Sequence, residues 1–177
     1  ASYERGVRIL NIDIGGGTTK LAIVEQGRVV ETAAFHVGGR LLVVDEGGKI
    51  VRLDPGGARL AKEVGYDWTV GDRIDAGAMG KLAVWMAQAV LTAALTRPLP
   101  PEIERLFLTP PLKNLENIDG IMFSGGVGEY VYGREPRDFG DLGRLLGGEI
   151  KTRVANSNFP WPVLPAGECI RATVIVA

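Results

Sequence analysis

Cysteine and histidine are nearly missing: the 177 residues hold one of each, Cys169 and His36. A single cysteine excludes an intrachain disulfide, and there is no Cys/His cluster with zinc-ligand spacing. That pattern agrees with a reducing, cytoplasmic setting. An excess of either charge is missing as well. The chain has 20 basic and 21 acidic residues and a net charge of −1. This balance gives no reason to expect a nucleic-acid or membrane-surface partner. The longest apolar region, residues 82–95, is interrupted by Gln88 and Thr92 and reads as too short to span a bilayer. No signal peptide opens the sequence, because residues 1–7 carry charges and no long apolar run. There is no initiator methionine, and the β-prone stretch 170–176 stops abruptly. Both features lead us to expect a piece of a longer chain.

What is present reads as one folded domain. Apolar residues make up 46% and charged residues 23%, ordinary values for a soluble globular chain. The 25 glycines stand out. They cluster between apolar runs at 15–17, 38–39, 47–48, 56–57 and 125–128, where tight turns or a close backbone approach are expected. Residues 7–14, 20–25 and 28–37 read as three strands joined by short turns, an antiparallel meander. Two shorter strands are expected at 41–45 and 49–53. Asp54 and Pro55 read as N-cap and first residue of a helix that ends at Gly65. A long buried helix is expected over 69–94, capped by Thr69 or Asp72. Residues 118–124 read as a buried strand, followed by a glycine turn, a helix over 129–132 and another between 140 and 146.

The most informative segment is the strand that ends in Asp13–Ile14 and turns through Gly15, Gly16, Gly17, Thr18 and Thr19. Three glycines allow backbone N–H groups to face one point, an anion nest. Thr18 and Thr19 would add hydroxyl donors. Asp13 could hold a hydrated Mg²⁺ or orient a water beside a phosphate. A plain hairpin whose glycines only permit the turn explains the glycines alone equally well. The spacing is not that of a P-loop, nor of GxGxxG opening a helix, because residues 21–24 continue as strand. Lys20 is expected to point outward.

A second strand-to-glycine turn follows at Ser124, Gly125, Gly126, Val127 and Gly128. Bare backbone there could border a base and ribose. Simple packing between a strand and a helix explains this string too. Trp68, Trp85 and Trp161 read as packing groups rather than stacking platforms, and His36, Cys169, Tyr130 and Tyr132 as structural residues.

The hairpin closely resembles the second phosphate motif of the superfamily of actins, heat-shock chaperones and sugar kinases, whose lobes are ribonuclease-H-like. The resemblance implies an α/β actin-like ATPase lobe: a mixed sheet with an antiparallel meander and packed helices. Residues 1–177 would form this second lobe alone, without the first lobe and its own phosphate hairpin. Residues 1–37 would be the phosphate-binding meander, 54–117 a helical side subdomain and 118–153 the adenosine-turn region. ATP and Mg²⁺ would be held by Asp13, by residues 15–19 and by residues 125–128. Asp72, Arg73 and Lys81 are candidates for adenine contact, though each reads equally as a solvated or capping residue.

Longer strings narrow the family. NIDIGGGTTKLAIVEQGRVVETAAFHVGGRLL, LDPGG and MFSGGVGEYVYGREPRDFGDLGRLLG resemble the reactivating factors of ethanolamine ammonia-lyase. Gly38–Gly39–Arg40 and the run from Gly128 to Tyr132 go beyond the superfamily pattern. That resemblance implies a chaperone-like, slowly ATP-hydrolysing factor that frees damaged cobalamin from the adenosylcobalamin-carrying lyase. It also implies a cytoplasmic place, with a bacterial microcompartment as one site of action and a homo-oligomer as one assembly. A small-molecule kinase with Asp13 as base, or an actin-like filament protein, are the alternative readings.

Overall fold

Alternation along the first strand divides the molecule into two faces. In the computed structural model, which describes residues 6–166, β1 (Arg8–Ile14) turns Leu10, Ile12 and Ile14 into the main core and leaves them fully buried. Ile9, Asn11 and Asp13 alternate to the opposite face. Cys169 and the stretch 170–176 lie outside the described residues.

β1 pairs antiparallel with β2 (Thr19–Glu25), and β2 with β3 (Arg28–Phe35), as the meander reading predicts. β6 (Gly120–Ser124) adds to the other edge of β1 in parallel, so the sheet order is β3-β2-β1-β6. The register runs from Ile9 opposite Gly120 to Asp13 opposite Ser124. Residues 162–164 cover the far edge of β6. There the Ile121 N–H donates to Pro162 O at 2.9 Å, and the Leu164 N–H to Ile121 O at 2.8 Å. β4 (Leu42–Val44) and β5 (Ile50–Leu53) form a separate two-stranded sheet.

Helix α1 (Pro55–Glu63) starts with proline at its first turn and extended Asp54 before it. Asp54 gives no side-chain cap, however. Its carboxylate is taken by Arg52 at 3.0 and 3.1 Å. Helix α2 (Ala76–Leu95) starts later than the sequence predicts, and its cap is Asp75, which accepts the Ala78 N–H at 2.7 Å. The reason is tertiary. Residues 71–74 are held beside β5 and its turn by Gly71 N–H to Ile50 O, Ile50 N–H to Asp72 O and Ile74 N–H to Gly48 O. Asp72 accepts from Thr69 instead of capping the helix.

α2 is 20 residues long, and by length and composition alone it could cross a membrane, contrary to the shorter reading from sequence. Here it is a core helix: Leu82, Met86 and Val90 are fully buried. A short α3 (Pro101–Glu104) follows. Helix α4 (Gly125–Val131) takes the glycines into its own first turn rather than after them. Helix α5 (Gly143–Val154) is later and longer than expected. Leu146 and Ile150 of α5 and the buried face of α2 pack with Leu10, Ile12, Leu21, Ile23 and Phe35 of the sheet in one core. Each such side chain contributes about 1.5–3 kcal/mol on burial. The domain is thus mixed α/β, with a mixed sheet and packed helices.

Candidate functional site

The two glycine turns meet. β1 and β6 are adjacent and parallel, so the turns that follow them emerge from the same end of the sheet, with Asp13 opposite Ser124. In open α/β sheets, ligands bind in the crevice beyond the carboxyl ends of the strands. Gly125 lies directly against Asp13 and Ile14. Its φ is +78°, and a Cβ there would run into Ile14 O and Asp13 Oδ1. Only glycine satisfies both demands. On the same face, the Asn11 amide donates to Ser124 Oγ at 3.1 Å, tying the two strand ends together.

Backbone donors line the hairpin side. The Gly15 N–H is used within the turn, donating to Thr18 O at 3.0 Å. The N–H groups of Gly16, Gly17 and Thr18 have no hydrogen-bond partner among the described residues. Residues 38–40 brace the turn from behind, with Gly39 N–H to Gly15 O at 2.9 Å and Arg40 N–H to Gly16 O at 2.7 Å. Gly38 passes so close that a Cβ would collide with the carbonyl of Gly16. This strap also reaches the helices, because Leu142 N–H donates to Gly39 O at 2.9 Å. It is therefore part of the frame that holds the hairpin, although the sequence marks it only as a family pattern.

Among the residues expected to bind, the structure separates those left open at the strand ends from those that pack. Thr19 is fully buried and its hydroxyl donates to Val37 O at 2.8 Å. That bond uses the hydroxyl inside the fold, whereas the sequence reading has it donating to a phosphate. Thr18 is half-buried, and its hydroxyl has no such bond among the described residues. Gly126 is exposed with open space where a side chain would go. Val127, by contrast, is buried against Gly39, and Gly128 is buried against Phe123. Val127 thus packs α4 on the strap and Gly128 packs it on β6. Asp72, Arg73 and Lys81 are occupied elsewhere: Asp72 with Thr69, Arg73 on Gly47 O at 2.9 Å, and Lys81 over the Tyr66 ring at 5.2 Å.

Asp13 is half-buried at the strand end, and its carboxylate has no hydrogen bond or ion pair among the described residues. No group of three or more His, Cys, Asp or Glu side chains gathers among the described residues to hold a metal unaided. One free carboxylate beside unpaired N–H donors suits Mg²⁺, which keeps most of its waters and binds through one carboxylate plus phosphate oxygens. It does not suit a structural zinc or calcium site. Against Gly16 of the turn stands Arg40, with Asp141 behind it, a pair that sequence reasoning does not assign to the site. Asp141 is 7% exposed, accepts the Gly143 N–H at 2.9 Å and faces Arg40 Nε at 3.9 Å. Nearby, burial and the charge of Asp141 raise the Tyr130 phenol above its usual range.

The family model described as ethanolamine utilisation protein EutA matches residues 1–177. The chain is 36% identical over 183 aligned residues to the ethanolamine ammonia-lyase reactivase EutA of Salmonella typhimurium. It is 33% identical over 183 aligned residues to the protein of the same name from Escherichia coli. Each alignment takes in 99% of this chain and 38% of the relative, so the chain spans well under half the length of these curated relatives. By the family match and the span of these alignments, the chain belongs to the EutA family of ethanolamine utilisation proteins.

Proposed function

We propose that the chain is the second, phosphate-gripping lobe of a split actin-like ATPase that reactivates ethanolamine ammonia-lyase. The observation that carries the nucleotide part is the meeting of Asp13 and the hairpin with Gly125 at the carboxyl ends of β1 and β6. In this reading the N–H groups of Gly16, Gly17 and Thr18 hold the β- and γ-phosphates, and Gly125 and Gly126 let the ribose and base lie against bare backbone. Asp13 orients the hydrated Mg²⁺ or a water. Bound Mg²⁺ would neutralise charge on the phosphates, and slow hydrolysis would follow from positioning rather than covalent chemistry. The names of the relatives support the lyase as partner. Nucleotide turnover in the cytoplasm, or at a bacterial microcompartment, would then drive release of damaged cobalamin from the lyase.

The test is calorimetric titration of Mg-ATP and Mg-ADP into the protein at its natural full length, with Asp13→Ala and Gly126→Val beside it. Gly126 faces open space, so valine there blocks the crevice without a clash in the fold. The expected result is binding that both substitutions abolish. No binding by the unsubstituted protein would overturn the nucleotide reading and leave a scaffold acting on its partner without ATP.

A further inference from the structure

Arg40 sits at the mouth of the hairpin with its donors unused. Its backbone N–H is committed to Gly16 O, which fixes where the residue stands. Its Cβ, Cγ and Cδ lie 3.5–3.8 Å from where a Gly16 side chain would begin. The aliphatic stem therefore packs against Gly16, one of the turn residues whose N–H has no partner among the described residues. At its end the guanidinium makes no hydrogen bond among the described residues. Its one charged neighbour among them is Asp141, and at 3.9 Å this is an ion pair without a hydrogen bond. Arg52, Arg73, Arg97, Arg105 and Arg137 differ, since each donates to a carbonyl or carboxylate of the fold at 3.1 Å or less.

Asp141 is not free to leave. It is buried, and its other oxygen holds the Gly143 N–H at the start of α5. A fixed carboxylate behind a guanidinium with spare donors biases where the charge sits without consuming its hydrogen bonds. A planar fork of this kind matches phosphate oxygens, which it can grip in pairs.

We propose that Arg40 is a further nucleotide-binding residue, giving a charged contact to the phosphates held by the hairpin, and that Asp141 positions it. This rests on the nucleotide reading above and names a side chain which that reading lacks. It also separates the roles within the Gly-Gly-Arg string. Gly38 passes the hairpin, Gly39 joins it to α5, and Arg40 reaches over it.

The experiment is titration of Mg-ADP into the full-length protein and its Arg40→Ala, Arg40→Lys and Asp141→Asn variants at two salt concentrations. Arg40 is more than half exposed, and thermal unfolding of each unliganded variant checks that the fold is kept. Arg40→Ala is expected to weaken Mg-ADP about tenfold or more, as for loss of a charged hydrogen bond, and to reduce the salt sensitivity of binding. Arg40→Lys should recover part of the loss, because it keeps the charge without the fork. Asp141→Asn should weaken binding less than Arg40→Ala. Wild-type affinity and salt sensitivity in Arg40→Ala would overturn the proposal while leaving the nucleotide site standing. A loss in Arg40→Ala that keeps the wild-type salt sensitivity and is not eased by lysine would mark a structural role and also overturn it. If the wild type itself ignores Mg-ADP, the nucleotide reading falls first and this one with it.

Discussion

Two neighbouring threonines in the hairpin have opposite duties. Thr19 points into the core and satisfies Val37 O, whereas Thr18 stands beside the open N–H groups. Replacing Thr19 with valine keeps the shape and leaves a buried carbonyl without its donor, a cost of about 1–3 kcal/mol. Urea unfolding should show that loss for Thr19→Val and none for Thr18→Ala, while Thr18→Ala weakens nucleotide binding. The adjacent glycines divide in the same way. Gly125→Ala places a side chain on a left-handed residue and against Ile14 O, and should cost roughly 2 kcal/mol or more in the same assay. Gly126→Ala has open space and a helical setting, so it should be neutral or slightly stabilising. The sequence displays the glycine cluster clearly but not which member is obligatory. That depends on Asp13 and Ile14, which the cluster meets only after β6 pairs with β1. Gly38 is hidden for the same reason, since its constraint is a carbonyl on another turn.

At the scale of elements, the strands and the start of α1 at Pro55 are legible in the sequence, and the starts of α2, α4 and α5 are not. Strand alternation is a local property, and β1 to β3 follow it closely. The start of α2 is hard to place because Asp72 looks like a cap, while the pairing of residues 71–74 with β5 that rules it out is not local. Asp75→Ala should therefore lower stability by about 1 kcal/mol in chemical denaturation. Asp72→Ala should loosen the turn at Thr69 without shortening the helix, as seen by amide exchange. The loop between α4 and α5 carries its own acid sensitivity. The side chain and N–H of Arg137 hold Glu135 down at about 2, from an ordinary 4.5. A depressed carboxylate contributes fully above its unfolded pKa and loses that contribution as pH falls through its folded one. The Glu135–Arg137 contact should thus be held at neutral pH and lost progressively between about pH 4.5 and 2. Carboxyl chemical shifts of Glu135, followed by NMR, check the midpoint.

For the molecule as a whole, ligand and fold should be linked. A nucleotide that binds only the folded chain stabilises it by about 2.7 kcal/mol at a hundred times its dissociation constant. Mg-ADP should accordingly raise the melting temperature, and Asp13→Ala should abolish the rise without lowering the unliganded value much. The sheet class and the presence of two glycine turns can be read in advance. What cannot be read is that part of each turn is buried, because the packing of Thr19, Val127 and Gly128 is not displayed in the linear sequence.

The two sides of the crevice belong to very different moments in folding. The hairpin closes over a few residues, but Asn11 reaches Ser124 across 113 positions. Closing so long a loop carries an entropy cost that only later contacts repay. The hairpin can form from local contacts alone, whereas its meeting with Gly125 requires β1 and β6 to pair across that long loop. Occupancy by a ligand would certify that the whole chain, and not merely its meander, has reached the native state.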